Sequence, residues 1–469
     1  GTTTFTAPGG VTFAGDIIGK AGMSGKESLV IETGANNVDI AGLIGNAGTA
    51  LGAVTINSSG AGTVALAGIG TSDAVGVTGA TLIGNNSTAT ITLDGTVYNT
   101  TGGQTYTAAT GDENIVISSG GSNAVAITTA GGNIGFATSG VILQNNAATT
   151  ITSGGGNVTF GADLEANGLD NDSLVISSGA GNVTFTGAIG ATHELGGLDV
   201  NATTAGSGDI TFSSNIGKTA GGGAAGVIGT TAIGTTSTDK ITFAGTIYHF
   251  DSPSSTTTIT ASADVSGDDE NIEVTNTSGA TFKATGEAIT FAGGKLDLAD
   301  GANLSIDSQN GAISVSGVAG HSDETVTIDA GTSSVALGAV GDEASTQIHN
   351  LTVTGDGGIT LSGNIYTSAD DTSAADITFN DTVNIQGTVV IDSNDDARDG
   401  TITFTTGIEG ADASGDNLTI EGGTAAVTLV PIGVNTALSS LTIANASTST
   451  ATITAVSYTH LRDHETALD

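Results

Sequence analysis

Apolar and polar residues alternate along almost the whole chain, in short runs separated by G, G-N, G-D or S-G turns. In the run V-T-F-T, Val183 and Phe185 fall on one side of a strand and Thr184 and Thr186 on the other. Thr, Val and Ile fill the runs and Gly, Asn and Asp fill the gaps, as short β-strands joined by tight turns require. No apolar stripe of helical period is sustained, so helices are expected to be nearly absent.

The alternation is organised into a longer repeat. One phrase begins at Leu29-Val30-Ile31 and continues through Val38, Ile40, Ile44-Gly45, Leu51 and Val54 to Ile56. It returns from Leu174 to Val200, from Val326 to Val353 and from Leu418 to Ile443. A second phrase ends in Val97-Tyr98, Ile247-Tyr248 and Ile365-Tyr366, and a third reads D-E-N-I at Asp112 and Asp269. Super-repeats are therefore expected at about 29–173, 174–325, 326–417 (shortened) and 418–455 (partial). Tandem sandwiches would need longer strands, aromatic anchors and linkers. Uneven copies without linkers instead predict one continuous solenoid over residues 1–455, since each coil of a solenoid touches only its neighbours. With coils of about 20 residues it would form a rod on the order of 100 Å long.

Composition narrows the function classes. Gly numbers 74, Cys and Trp are absent, and aromatics make up 4%. A thin core of small aliphatics is expected, and the regular alternation argues against disorder. The net charge is −39, from 8 Lys+Arg against 47 Asp+Glu. So few cations cannot form a basic patch, so neither nucleic acid nor an anionic membrane is an expected partner. No apolar run approaches the roughly 20 residues of a membrane-spanning helix, so no membrane insertion is expected of this segment. The chain starts at Gly1 without Met, and it reads as a piece of a longer protein.

The phrase V-T-F-x-G-x-I-G…L-x-x-L-x-V, the phrase I-T-F-x-G-x-I-Y and Gln104-Thr105-Tyr106 resemble repeats of filamentous-haemagglutinin-like exoproteins and autotransporter-type adhesins of Gram-negative bacteria. The resemblance covers most of residues 5–455. It implies a right-handed parallel β-helix, an extracellular or outer-cell-surface location, and a role as adhesin or stalk. Its partner would be a glycan or protein on a host or neighbouring cell. Residues 456–469, VSYTHLRDHETALD, depart from every pattern above. They are similar to a translated sequencing adapter and are expected to be non-native or disordered.

Candidate chemistry is sparse. Gly187-Ala188-Ile189-Gly190 after a strand suggests a dinucleotide-binding turn, but position 193 is His and the next strand starts too soon for a phosphate-binding helix. No cofactor is therefore expected. His193-Glu194 lacks the second His of a zinc motif, and His249, His321 and His349 stand singly, as on exposed loops. A carbohydrate-active β-helix enzyme, hydrolase or lyase, is the alternative reading. Its candidate acids are Asp268-Asp269-Glu270, Asp370-Asp371 and Asp395-Asp396. A surface-layer or matrix protein is a third.

Asp392, Asn394 and Asp396 have the D-x-N-x-D opening of a calcium loop, without its Gly at the sixth position or acid at the twelfth. They are candidates for weak Ca2+ association only. The expected reading is non-catalytic, with binding on inserted loops at 203–238 and 248–269 and with end-to-end self-association.

Overall fold

A computed structural model describes residues 1–57, 59–111, 113–144, 146–168, 172–204, 206–218, 226–251, 255–263, 271–342, 345–368, 374–393, 398–412 and 415–445. Among these residues the chain is all-β with no helix, and short parallel strands stack as a β-solenoid of about 16 turns. It forms two compact units, Gly1–Ser262 and Ala263–Asp469. In the first unit, Val158–Phe160, Val183–Phe185 and Ile210–Phe212 pair in parallel and in register, with Phe160 beside Phe185 and Phe185 beside Phe212. Residues 158 and 183 are one coil apart, so a coil takes about 25 residues rather than the 20 expected.

Alternation sets what is buried. Val183 and Phe185 have at most 1% of their surface exposed, while Thr184 between them is half-buried on the outer face. The core is not filled by small aliphatics alone. Tyr106, Phe136, Phe160, Phe185, Phe212 and Phe243 stack ring upon ring through six coils, with centroids 5.0–5.4 Å apart and interplanar angles of 20° or less. In-register parallel pairing holds identical side chains at the inter-strand spacing, which matches offset ring stacking.

The repeated phrase does not return to the same face of the coil. In the first unit, the ladder that starts with Ser28–Glu32 runs through Val54–Ile56, Thr81–Gly84, Gln104–Thr107, Ile134–Ala137 and Val158–Phe160 to Val183–Phe185. It joins the first strand of the first copy to the second strand of the second. The second unit repeats the offset. There, Thr325–Asp329 leads through Asn350–Thr354, Ile377–Phe379 and Ile402–Phe404 to Val427–Thr428, again a first strand to a second. With three strands per coil, each super-repeat therefore advances by whole coils plus two-thirds of one. The pairing gives five and two-thirds coils from copy one to copy two, and three and two-thirds from copy three to copy four. The shortened copy is two complete coils shorter than the first, a difference in whole coils that leaves every later strand on its face.

The tyrosine phrase changes its role between copies. Tyr98 and Tyr248 point inward, and their hydroxyls accept the backbone N–H of Gly95 (2.8 Å) and Gly245 (2.6 Å). In the third copy Ile365 aligns with the inward Ile391, while Tyr366 aligns with Asp392. The Tyr366 hydroxyl there meets the Asn364 amide at 3.1 Å.

Corners are fixed by side chains that satisfy backbone groups. Thr129, Ser153, Ser178 and Ser308 each donate a hydroxyl to the carbonyl three residues on, at Gly132, Gly156, Gly181 and Gly311. Gly190 sits at φ +62°, where a Cβ would also run into the carbonyl of Gly226 on the next coil. The glycines that resemble a cofactor turn are thus corner glycines.

Candidate functional site

The sequence-predicted residues are not brought together. Asp392 ends the strand Thr388–Asp392 and pairs with Glu421 on the next coil. Asn394 and Asp396 lie outside the described residues, as do Asp268-Asp269-Glu270, Asp370-Asp371, Asp395 and the tail 456–469. Of the loops expected to bind partners, residues 205, 219–225, 252–254 and 264–270 also lie outside them. The histidines differ from expectation. His249 lies on the strand Ile247–Phe250, and His349 is only 5% exposed, with Nδ1 3.3 Å from the Ser368 carbonyl. Among the described histidines only His321 is exposed.

Buried carboxylates form a feature that alternation alone does not reveal. Glu165 stands on the outer side of Leu164–Ala166 yet is 3% exposed, because residues 190–196 of the next coil fold over it. Its two oxygens accept the backbone N–H groups of Ala191 (3.1 Å), Thr192 (3.1 Å) and His193 (2.9 Å). Glu409 does the same in the second unit, accepting from Asn435 (3.0 Å) and Thr436 (2.8 Å). In both cases an acid follows a buried Leu or Ile, and the next coil carries I-G and a longer loop. Burial pushes the Glu165 carboxyl above the usual range, opposed by the three N–H donors.

One acidic group could hold a cation. The carboxylate oxygens of Asp300, Asp323 and Glu324 lie within 4.8 Å of one another; the first two are exposed and Glu324 is buried. Glu324 accepts from the N–H groups of Gly301 (3.2 Å) and His321 (2.7 Å), and Asp323 accepts from Gly301 (2.9 Å). The hydrogen bond from Glu324 holds Asp323 below the usual carboxylate range. Burial, and then that same bond, push Glu324 above it. Three carboxylate donors fall short of the six to eight oxygens that Ca2+ takes, so water would have to complete the shell.

The outer faces carry small polar side chains in rows. Thr159, Thr184, Thr211 and Thr242 occupy successive coils on one ladder. At the adjoining corner Asn133, Asn157 and Asn182 each accept the backbone N–H at the start of the next coil, at 2.9–3.0 Å. No family model matches the chain, and no curated protein or solved structure matches it.

Proposed function

We propose that the chain is a structural and adhesive segment of an exported bacterial surface protein. In this reading stacked coils give reach, and the outer rows and corner loops meet a glycan or protein on another cell. The observation that carries the reading is the use the chain makes of its polar groups. Glu165, Glu409 and the corner asparagines spend their oxygens on backbone N–H groups of the next coil. These coils are thereby fastened to their neighbours by core, ladder and corner together, as suits a mechanical element. Association of one chain end with another belongs to the same reading. Of the five exposed large hydrophobics among the described residues, Phe5, Ile18 and Met23 all lie within the first 23 positions.

The test is binding without turnover. Immobilised chain 1–469 is expected to retain cells or a defined subset of an array of surface glycans, and to release no reducing ends from neutral or acidic polysaccharides. Release of reducing ends or unsaturated uronates would instead establish the carbohydrate-active reading. Ca2+-dependent sheet assembly without ligand retention would establish a surface-layer protein.

A further inference from the structure

Two Asn-Gly pairs occur in the chain, Asn167-Gly168 and Asn310-Gly311; every other asparagine precedes a residue that carries a side chain. A following glycine leaves the backbone nitrogen unshielded and the backbone free to turn, which lets that nitrogen reach the amide carbon of the asparagine side chain. The structure holds the two pairs differently. Asn167 is half-buried, its Nδ2 donates to Asn146 Oδ1 (3.0 Å), and its backbone N–H donates to Asp172 (3.3 Å). The amide nitrogen that a ring closure would have to release is thus tied to the preceding coil.

Asn310 has the opposite arrangement. It is exposed at the corner between the strands Leu304–Asp307 and Ile313–Ala319, in the left-handed region at φ 106°. On the next coil, Thr332 donates both its backbone N–H (3.1 Å) and its hydroxyl (3.0 Å) to Asn310 Oδ1. Two donors on one carbonyl oxygen draw electrons from Cγ. They stand where negative charge would collect if Cγ were attacked, as the donors of an oxyanion hole do. Among the described residues Nδ2 has no hydrogen-bond partner to hold it back. The Gly311 N–H donates to the Ser308 carbonyl at 3.2 Å, a long hydrogen bond whose opening releases the nitrogen.

We infer that Asn310-Gly311 is a self-modifying site, at which the folded chain converts Asn310 to aspartate or isoaspartate without an enzyme. Hydroxide takes the proton of the Gly311 N–H. The nitrogen attacks Asn310 Cγ; the N–C bond forms and the carbonyl electron pair moves to Oδ1, where the two Thr332 donors hold it. The pair returns, the Cγ–Nδ2 bond breaks, and Nδ2 leaves as ammonia with a proton from water, which restores the hydroxide. A second water then opens the five-membered imide. Cleavage of the new bond gives aspartate, and cleavage of the old main-chain bond gives isoaspartate. Nothing is oxidised or reduced: overall, one water is consumed and one ammonia released. Aspartate keeps an acceptor in front of Thr332, so that product adds a negative charge to the corner without unfastening it. The inference stands independently of what the chain attaches to.

The experiment incubates folded chain 1–469 in mildly alkaline buffer and follows both pairs by peptide mass spectrometry, with a denatured sample alongside. In the folded chain Asn310 is expected to convert at least about tenfold faster than Asn167, which must first give up two hydrogen bonds. In the denatured chain the two pairs should convert at similar rates. Thr332 is exposed, so its substitution leaves the core intact. Thr332→Val should slow Asn310 by about two- to tenfold, the worth of one hydrogen bond, and Thr332→Ser should restore the rate. The inference is overturned if Asn310 stays unconverted in the folded chain while the denatured chain reacts, or if folded Asn167 converts as fast. It is equally overturned if Thr332→Val reacts like wild type, or if Thr332→Ser is slowed as much as Thr332→Val.

Discussion

The carboxylate of Glu165 accepts the backbone N–H of His193, 28 residues further along, at 2.9 Å. One side chain thus holds the loop of the following coil. Glu165→Ala would leave the part-buried N–H donors of Ala191, Thr192 and His193 without that acceptor, at a cost of about 1–3 kcal/mol for any of them that water cannot reach. Hydrogen exchange should show faster exchange at Ala191, Thr192 and His193, while the strand Val183–Phe185 keeps its protection. Unchanged exchange in the loop would refute the staple.

The same residue gives a pH dependence whose sign is fixed. Burial raises the folded-state pKa of Glu165, so the folded chain holds this proton more tightly than the unfolded chain does. The stability this contributes is fully present below the unfolded pKa near 4.5 and is lost as pH rises through the raised folded value. The stability gap between wild type and Glu165→Ala should therefore widen as pH falls from 7 toward 4. A gap that narrows on acidification would show that the N–H donors, not burial, dominate.

The ring stack predicts an asymmetry between adjacent residues. Phe185 lies 5.1 Å from Phe160 and 5.2 Å from Phe212, fully inside, whereas Thr184 faces out. Phe185→Ala should cost about 3–5 kcal/mol, and Thr184→Ala should stay within about 0.5 kcal/mol. Denaturant titration of both variants measures the difference. Equal effects would contradict the inward–outward assignment.

Two glycines separate corner geometry from mere glycine abundance. Gly190→Ala places a side chain at φ +62° against the Gly226 carbonyl and should destabilise by more than about 1 kcal/mol. Gly135 sits in the strand Ile134–Ala137, and a Cβ added there would meet nothing within 4 Å, so Gly135→Ala should be neutral or stabilising. Thermal melts of the pair decide between them.

Much of the fold is legible in the sequence, because period-two alternation names the inner residues one by one: Val183 and Phe185 in, Thr184 and Thr186 out. The copies at 29 and 174 are likewise visible as the same phrase. Their two-thirds offset is not, since identical phrases read alike whichever face they occupy; only the partner of Ser28–Glu32 six coils away reveals it. Coil length reads too short when strands are counted without the corner residues. The aromatic stack has a readable signal, a Phe recurring at 136, 160, 185, 212 and 243. The burial of Glu165 has none, because it depends on a loop from the next coil folding over it.

The most direct test of the stacked solenoid uses a chain that has no cysteine of its own. Thr159 and Thr184 are register partners on adjacent coils, with outward side chains. Parallel neighbours lie about 4.8 Å apart, within the span of a disulfide. Thr159→Cys with Thr184→Cys should form an intramolecular disulfide under mild oxidation, whereas Thr159→Cys with Val175→Cys, whose neighbours are Thr150 and Asp199, should not. Mass mapping that finds the second bridge and not the first would contradict the stacking on which the whole account rests.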